Sequence, residues 1–201
     1  RRIAQKHGLK LNEYGLFRGK RRIAGRSEKK IFAAIGLPYI PPELRENRGE
    51  IEAAHAGLLP KLVELADLRG DLHAHTRASD GHESLRGMAA AAAERGLEYL
   101  AITEHSKRLT VAHGLDSRRL LAQLEAIDEF NAGKHEVTLL KGIEVDILES
   151  GELDYDHETR SQFEFVIASV HNRFGQNREE MTERVLRAMD DPTMAILGHP
   201  T

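Results

Sequence analysis

The residues most able to do chemistry lie in the stretch RGDLHAHTRASDGHES, residues 69–84. His73 and His75 are one residue apart, and Asp80 and His82 follow within a few positions. Residues two apart in a strand face the same side, so both histidines of the pair could reach one metal ion. Such a pair also arises by chance in a chain with 11 histidines. The stretch alone therefore leaves both a metal site and a polar loop open.

Potential metal ligands recur at the ends of five short apolar runs that the pattern predicts to be strands. The runs are GDLHAH, EYLAITEH, VTLLKGIEVDI, FEFVIASVH and MAILGHP, and their final ligands are His73 with His75, His105, Glu144, His171 and His199. Helix-like stretches lie between most of them, at 84–95, 117–131 and 178–190. This alternation favours an α/β fold of parallel, buried strands, whose functional groups collect at the carboxyl ends. We therefore expect one shared site there, although each histidine alone could equally be a solvated or hydrogen-bonded residue.

The types of these residues limit the metals that they could bind. The chain has no cysteine, so every ligand must be a nitrogen or an oxygen, which suits Zn²⁺, Mn²⁺ or Fe²⁺. Glu144 lies in an otherwise apolar strand, where an unpaired carboxylate is costly and a carboxylate that bridges two cations is not. Asp80 and His105 offer further ligands elsewhere on the rim. Closely spaced ions of this kind activate water and stabilise in-line attack at phosphorus, so the pattern predicts phosphate-ester hydrolysis.

Charge divides the chain into two parts. The first 50 positions hold 13 of the 29 lysine and arginine residues but only 5 of the 32 acidic ones. This basic block could meet a polyanion, or it could simply be solvated. The longest apolar stretch, GMAAAAAERGLEYLAI, is interrupted by charges, so we expect no membrane span, and without a signal-peptide pattern we expect a cytoplasmic protein. Neither end of the chain looks native, which predicts a piece of a longer protein.

The basic first part has its own element pattern. LKLNEYGLF alternates like a strand, and RGKRRIAG looks like a turn and a second strand. A helix should begin after the capping residue Ser27 and end at Gly36. The proline-rich stretch LPYIPPELRENRGE is a plausible domain edge. IEAAHAGLLPKLVELADL is predicted to be a helical connector interrupted at Pro60.

The motifs of the second part resemble those of the PHP (polymerase and histidinol phosphatase) family. DLHAHTRASDG resembles its first motif, ITEHS its second and GIEVDI its third, with ASVH and LGHPT following in order. The resemblance implies a distorted (β/α)7 barrel with a three-metal cluster. It implies one ion on His73, His75 and Glu144, a second on Glu144, His171 and His199, and a third with Asp80 and His105 among its ligands. The family's final Asp-x-His motif has no counterpart here, so we expect a barrel that is incomplete at its C-terminus. Glu104 stands where the family usually has Asp, and we expect it to support the ligands rather than to bind metal.

The front of the chain resembles the end of the thumb subdomain of bacterial family X DNA polymerases, which carry a PHP domain directly after it. The resemblance implies a small α+β thumb remnant at residues 1–47, a linker at 48–69 and a PHP phosphoesterase domain at 70–201. It also implies DNA as partner, deoxynucleotides as substrates of the parent, and Mg²⁺ in a polymerase core whose carboxylates are missing here. Arg1 would face the template strand. We expect a monomer.

The leading hypothesis is a DNA repair polymerase whose PHP domain removes nucleotides from DNA 3′ ends with two or three Mn²⁺ or Zn²⁺ ions. His73, His75, Glu144 and His171 would be its catalytic residues. Lys107, Arg108 and Arg173 could hold the DNA backbone, or could be solvated charges. Two alternatives stay open: a small-molecule phosphomonoesterase like histidinol phosphatase, and a non-catalytic scaffold that supports the polymerase core.

Overall fold

The computed structural model describes residues 1–200 and divides the chain into two compact units, Arg1–Val63 and the part from Glu64 onward. The first unit is a small α+β unit. Its helices are α1, Arg2–Lys6, α2, Glu28–Ala34, and α3, Glu50–His55; its strands are β1, Lys10–Asn12, β2, Gly15–Arg18, and β3, Arg21–Ala24. The three strands form an antiparallel sheet in the order β1-β2-β3.

Two expectations for this unit were wrong in detail. LKLNEYGLF is two strands joined by a turn at Glu13 and Tyr14, where the Asn12 side chain accepts from the backbone N–H of Tyr14 at 3.1 Å. The helix expected over 51–68 is only α3, since the chain enters the left-handed region at Gly57, φ +69°. Ser27 caps α2 as predicted, accepting from the backbone N–H of Lys30 at 3.4 Å.

The second unit is built on five parallel strands in the order β4-β5-β6-β7-β8. The strands are β4, Gly70–Ala74, β5, Tyr99–Ile102, β6, Thr138–Asp146, β7, Phe165–Ser169, and β8, Met194–Leu197. The helices are α4, Leu85–Glu94, α5, Ser117–Asn131, α6, His157–Arg160, and α7, Arg178–Met189. The sheet is a curled half-barrel, which fits an incomplete PHP-type barrel and confirms the predicted fold class.

The central strands β5, β6 and β7 are apolar because most of their side chains are buried. Ile102, Leu139 and Ile143 are at most 1 % exposed and form the core with side chains from the helices. Continuous apolar runs are typical of parallel sheets that are buried on both sides. A polar side chain in such a strand lacks water, so it needs partners within the protein. The few polar residues near the strand ends therefore mark the site.

None of the helices within residues 1–200 is long and apolar enough to cross a membrane.

Candidate metal centre

Glu144 is the centre of the site. It lies within β6 and its side chain is only 1 % exposed. Five imidazoles surround its two oxygens. Oε2 lies 3.2 Å from His73 Nε2, 3.4 Å from His75 Nε2 and 2.9 Å from His105 Nδ1, and Oε1 lies 3.2 Å from His171 Nε2 and 2.8 Å from His199 Nε2. The structure thus places one carboxylate among every strand-end histidine that the sequence singled out.

Strand geometry brings these side chains together. His73 lies in β4 and His75 directly follows it, so the two point the same way, with ring centroids 5.1 Å apart. His105 pairs with Glu144 through a parallel bridge just after β5. His171 and His199 each come two residues after the end of a strand. His199 has φ +26°, a conformation unusual for a residue other than glycine.

Asp80 reaches the cluster from the loop after β4. Its oxygens lie 3.7 Å from His75 Nδ1 and 3.4 Å from His105 Nε2. The turn that presents it is closed by the backbone N–H of Gly81, which donates to the Thr76 carbonyl at 2.9 Å. A side chain at Gly81 would collide with the His75 carbonyl, so glycine suits this close approach. Neighbouring His82 is exposed and belongs to none of the ligand groups found among the described residues.

The ligand atoms form three groups within residues 1–200, each with its atoms within 4.8 Å of one another. The groups are His73, His75 and Glu144; His75, Asp80 and His105; and His105, Glu144 and His171. The first is the set that the family resemblance implied. The second adds His75 to the expected pair of Asp80 and His105. The third contains His105 where the resemblance implied His199. His199 contacts Glu144 but joins none of the three groups.

Burial and charge set the pKa values of these groups. Burial, with the neighbouring His105, lowers the pKa of His75 to about 4, so its imidazole is neutral at pH 7. Burial alone would raise the pKa of Glu144, but the imidazoles of His105, His171 and His73 hold it well below its usual range. Burial would also lower the pKa of His171, yet its contacts with Asp146 and Glu144 raise it to about 9.

Three buried polar atoms of the cluster have no hydrogen-bond partner among the described residues: Nδ1 of His75, Nδ1 of His105 and Oε2 of Glu144. The His105 and Glu144 atoms are close, but they are not aligned for a hydrogen bond. Buried groups of this kind are costly unless something pairs with them. All three are metal-ligand types, and the donor set holds only nitrogen and oxygen. The residues therefore fit divalent cations such as Mn²⁺ or Zn²⁺.

Polar residues outside the ligand groups complete the surroundings, and two of them, Ser169 and Asp146, were not selected from the sequence. Ser169 donates to Oε1 of Glu144 at 2.6 Å, and Asp146 lies 2.6 Å from Nδ1 of His171. Asp146 could have been found, because it stands two positions after Glu144 in the same strand and so shares its face. Glu104 lies in no ligand group of the described residues; it is buried and accepts hydrogen bonds from the hydroxyls of Thr76 and Ser79. Burial raises its pKa.

The residues expected to contact DNA are more dispersed. Lys107 and Arg108 are exposed on the loop after His105. The backbone N–H of Lys107 donates to the Tyr155 hydroxyl at 3.2 Å, and that of Arg108 donates to Asp154 at 3.0 Å. Arg173 is exposed two residues after His171 and pairs with Glu149 at 3.3 Å. Arg1 belongs to the first unit, where its Nε donates to the Leu11 carbonyl at 3.3 Å.

Comparison with protein families finds two matches. Residues 1–46 match the DNA polymerase beta thumb, and residues 71–199 match the PHP domain.

Curated relatives match the chain in two ways. The DNA polymerase/3'-5' exonuclease PolX of Bacillus subtilis is 40% identical over 204 residues, which is 100% of this chain and 35% of that protein. A probable phosphatase of Acetivibrio thermocellus is 35% identical, and probable phosphatase PBPRB2022 of Photobacterium profundum is 30% identical. Both of these matches cover 65% of this chain, and they cover 53% and 52%, respectively, of the two phosphatases. The chain therefore spans about a third to a half of these relatives.

Proposed function

Because the chain belongs to the PHP family and its front matches the polymerase beta thumb, we propose that it is part of a DNA repair polymerase whose PHP domain hydrolyses phosphodiesters at DNA 3′ ends. One relative that matches the whole chain carries both activities in its name. The observation that supports hydrolysis most is the cluster around Glu144, whose unpaired nitrogens and oxygen are suited to cations.

Mn²⁺ or Zn²⁺ is the proposed cofactor, in two or three copies. When bound, such ions make coordinated water acidic and stabilise the charge that develops on phosphate oxygens. His73, His75 and Glu144 would hold one ion. His105, Glu144 and His171 would hold another, with His199 reaching Glu144 from the side, and Asp80 would serve the third group.

The protein's own residues have defined tasks in this proposal. His75 is neutral at pH 7, so its lone pair is available without loss of a proton. Glu144 stays ionised and can bridge two ions, which its two oxygens and their separate sets of imidazoles favour. The carboxylate also offsets the positive charge that several cations bring into a buried site.

DNA would be held by charge near the rim. Lys107, Arg108 and Arg173 are exposed on loops that follow ligand residues, and each could contact a backbone phosphate. Arg173 would have to leave its pairing with Glu149, which is an exposed pair and therefore weak. Arg1 would contact the template in the polymerase part. Such an enzyme would act as a monomer on DNA in the cytoplasm, with deoxynucleotides as substrates of its polymerase core.

The test is release of a label from the 3′ end of a single DNA strand in the presence of Mn²⁺. The double variant His73→Ala with His75→Ala should release the label at least ~100-fold more slowly, since it removes both histidines of one ligand group. His82→Ala is the matched control from the same loop and should keep the rate of the unmodified protein. Equal rates for the double variant and the unmodified protein would sink the proposal.

A small-molecule phosphomonoesterase is the second candidate, because the relatives that match only the PHP part are named probable phosphatases. Turnover of histidinol phosphate against turnover of a DNA strand decides between the two. We expect faster turnover of the DNA strand. Preference for the monoester, lost in the same double variant, would favour the phosphatase.

A further inference from the structure

Both ring nitrogens of His171 lie next to a carboxylate. Its Nε2 faces Glu144 at 3.2 Å, while its Nδ1 lies 2.6 Å from Oδ1 of Asp146, which is 1 % exposed. A cation at Nε2 leaves the ring a single proton, and that proton belongs on Nδ1, because an ionised carboxylate beside it only accepts hydrogen bonds. The lone pair of Nε2 is then directed at the cluster, as a metal ligand requires.

The second oxygen of Asp146 is held by the residue that follows His171 in the chain. The side-chain amide of Asn172 donates to Oδ2 of Asp146 at 3.1 Å. The amide oxygen of Asn172 in turn accepts from Arg184 at 3.3 Å, and the backbone carbonyl of Asn172 accepts from Arg184 at 3.0 Å. Asn172 is therefore fixed at both ends of its side chain and at its backbone.

Arg184 lies on α7, yet it is only 2 % exposed. Its guanidinium also donates to the carbonyl of Leu148 at 2.9 Å, to the side chain of Gln176 at 2.9 Å and to the carbonyl of Ile147. A buried guanidinium is costly unless its donors are paired, and here all three nitrogens have acceptors. Those acceptors come from the ends of β6 and from the segment after β7, which carry Asp146 and His171.

We infer that Asp146, Asn172 and Arg184 are positioning residues for metal binding. Arg184 fixes Asn172, and Asn172 and Asp146 together fix the imidazole of His171. His171 then presents Nε2 to the cation beside Glu144. Mutation of residues that hydrogen-bond a metal-bound histidine typically lowers metal affinity by about 10- to 100-fold. The inference rests on the metal centre of the proposed function but not on its substrate. A lysine at position 184 could not do the same, because one ammonium cannot reach acceptors on three sides.

The first test compares Asn172→Ala with Gln176→Ala in the 201-residue chain. Both remove one acceptor of Arg184, but only the first cuts the connection to Asp146. Mn²⁺ affinity is measured by titration calorimetry, and Co²⁺ coordination by its visible spectrum. We expect Asn172→Ala to weaken Mn²⁺ binding about 10- to 100-fold and to change the Co²⁺ spectrum, with Gln176→Ala within about threefold of the unmodified chain.

Two outcomes overturn the inference in different ways. If Asn172→Ala binds Mn²⁺ as tightly as the unmodified chain with the same Co²⁺ spectrum, the positioning role is wrong and the metal centre stands. If the unmodified chain binds neither ion, the metal centre of the proposed function fails as well.

A second variant keeps the test decisive if Asn172→Ala does not fold. Arg184→Lys keeps the charge and loses most of the hydrogen bonds. In the chain loaded with Zn²⁺, which leaves His171 a single proton, ¹⁵N spectra report which of its nitrogens carries that proton. We expect Nδ1–H in the unmodified chain and a mixture of tautomers in Arg184→Lys. Nδ1–H at the same occupancy in both would contradict the role of Arg184.

Discussion

Two buried polar clusters in the second unit differ in how complete they are. Arg160 on α6 is 6 % exposed, and all three guanidinium nitrogens have acceptors: Thr193 at 3.0 Å, Asp191 at 2.5 Å and the Tyr155 carbonyl. Glu144 is more deeply buried, at 1 % exposed, but its cluster keeps three polar atoms without hydrogen-bond partners among the described residues. The first cluster is complete within the protein. The second keeps unpaired atoms of metal-ligand types, which distinguishes a candidate metal centre from a structural ion pair.

The sharpest way to break this comparison is the same chemical change in both clusters. Glu144→Gln replaces the central carboxylate by an amide of equal size, and Asp191→Asn does the same beside Arg160. We expect Glu144→Gln to lower Mn²⁺ affinity by more than ~100-fold, because the amide cannot bridge cations. Asp191→Asn should leave Mn²⁺ affinity unchanged in the same calorimetric titration. Equal losses in both variants would mean that the effect is general unfolding.

Added metal should stabilise the fold through the Glu144 cluster alone. At Mn²⁺ concentrations near 100 times the dissociation constant, the free energy of unfolding should rise by about 2.7 kcal/mol, because the cation binds the folded state. Thermal unfolding with and without Mn²⁺ measures this increment. Asp191→Asn should show the full increment and Glu144→Gln almost none. An increment that survives in Glu144→Gln would place the stabilising ion elsewhere.

The structural cluster should respond to mutation rather than to metal. Asp191→Asn should lower the free energy of unfolding by about 2 kcal/mol, since it leaves the buried Arg160 without its counter-charge. The loss stays moderate because the side chain of Asp191 is itself partly exposed. Urea unfolding measures the loss, which should be the same with Mn²⁺ or with a chelator. A loss that appears only in one of the two conditions would show that the clusters are coupled.

The smallest expected effect is on the pH dependence of stability. Burial alone would raise the pKa of Asp191, but its contacts with Thr193 and Arg160 lower it below the ordinary value of 3.8. The contribution of Asp191 is therefore present above that ordinary value and is lost as pH falls through the lower, folded-state pKa. The stability difference between the unmodified chain and Asp191→Asn should be constant from about pH 5 to 8 and shrink below about pH 4. A difference that grows on acidification would contradict this sign.

The sequence alone predicted that the ligands follow successive strands, because simple rules relate residue patterns to strands and helices. The predicted helices at 117–131 and 178–190 agree with α5 and α7 to within one residue, since Asp116 and Asn177 cap them with side chains that accept backbone N–H groups. Glu144 stood out because a carboxylate is rare in a strand buried on both faces. Those inferences needed only local patterns and strand periodicity.

Other features could not be predicted because they depend on which segments meet in space. Arg184 lies on a helix whose sequence is strongly polar, and nothing local shows that it is buried under the ends of two strands. The third ligand group contains His105 rather than His199, which is decided by side-chain distances and not by chain order. The hairpin between β1 and β2 was hidden in an alternating run because its two turn residues, Glu13 and Tyr14, are not typical turn residues.

The central claim is that the cluster around Glu144 is a metal centre, and metal analysis of the purified chain tests it most directly. Elemental analysis should find two or three divalent transition-metal ions per chain, and far fewer in the double variant His73→Ala with His75→Ala. A chelator should remove them and lower the melting temperature of the unmodified chain. A chain that holds no such metal after incubation with Mn²⁺ and Zn²⁺, and whose melting temperature is unaffected by chelator, would contradict the claim and favour a non-catalytic scaffold.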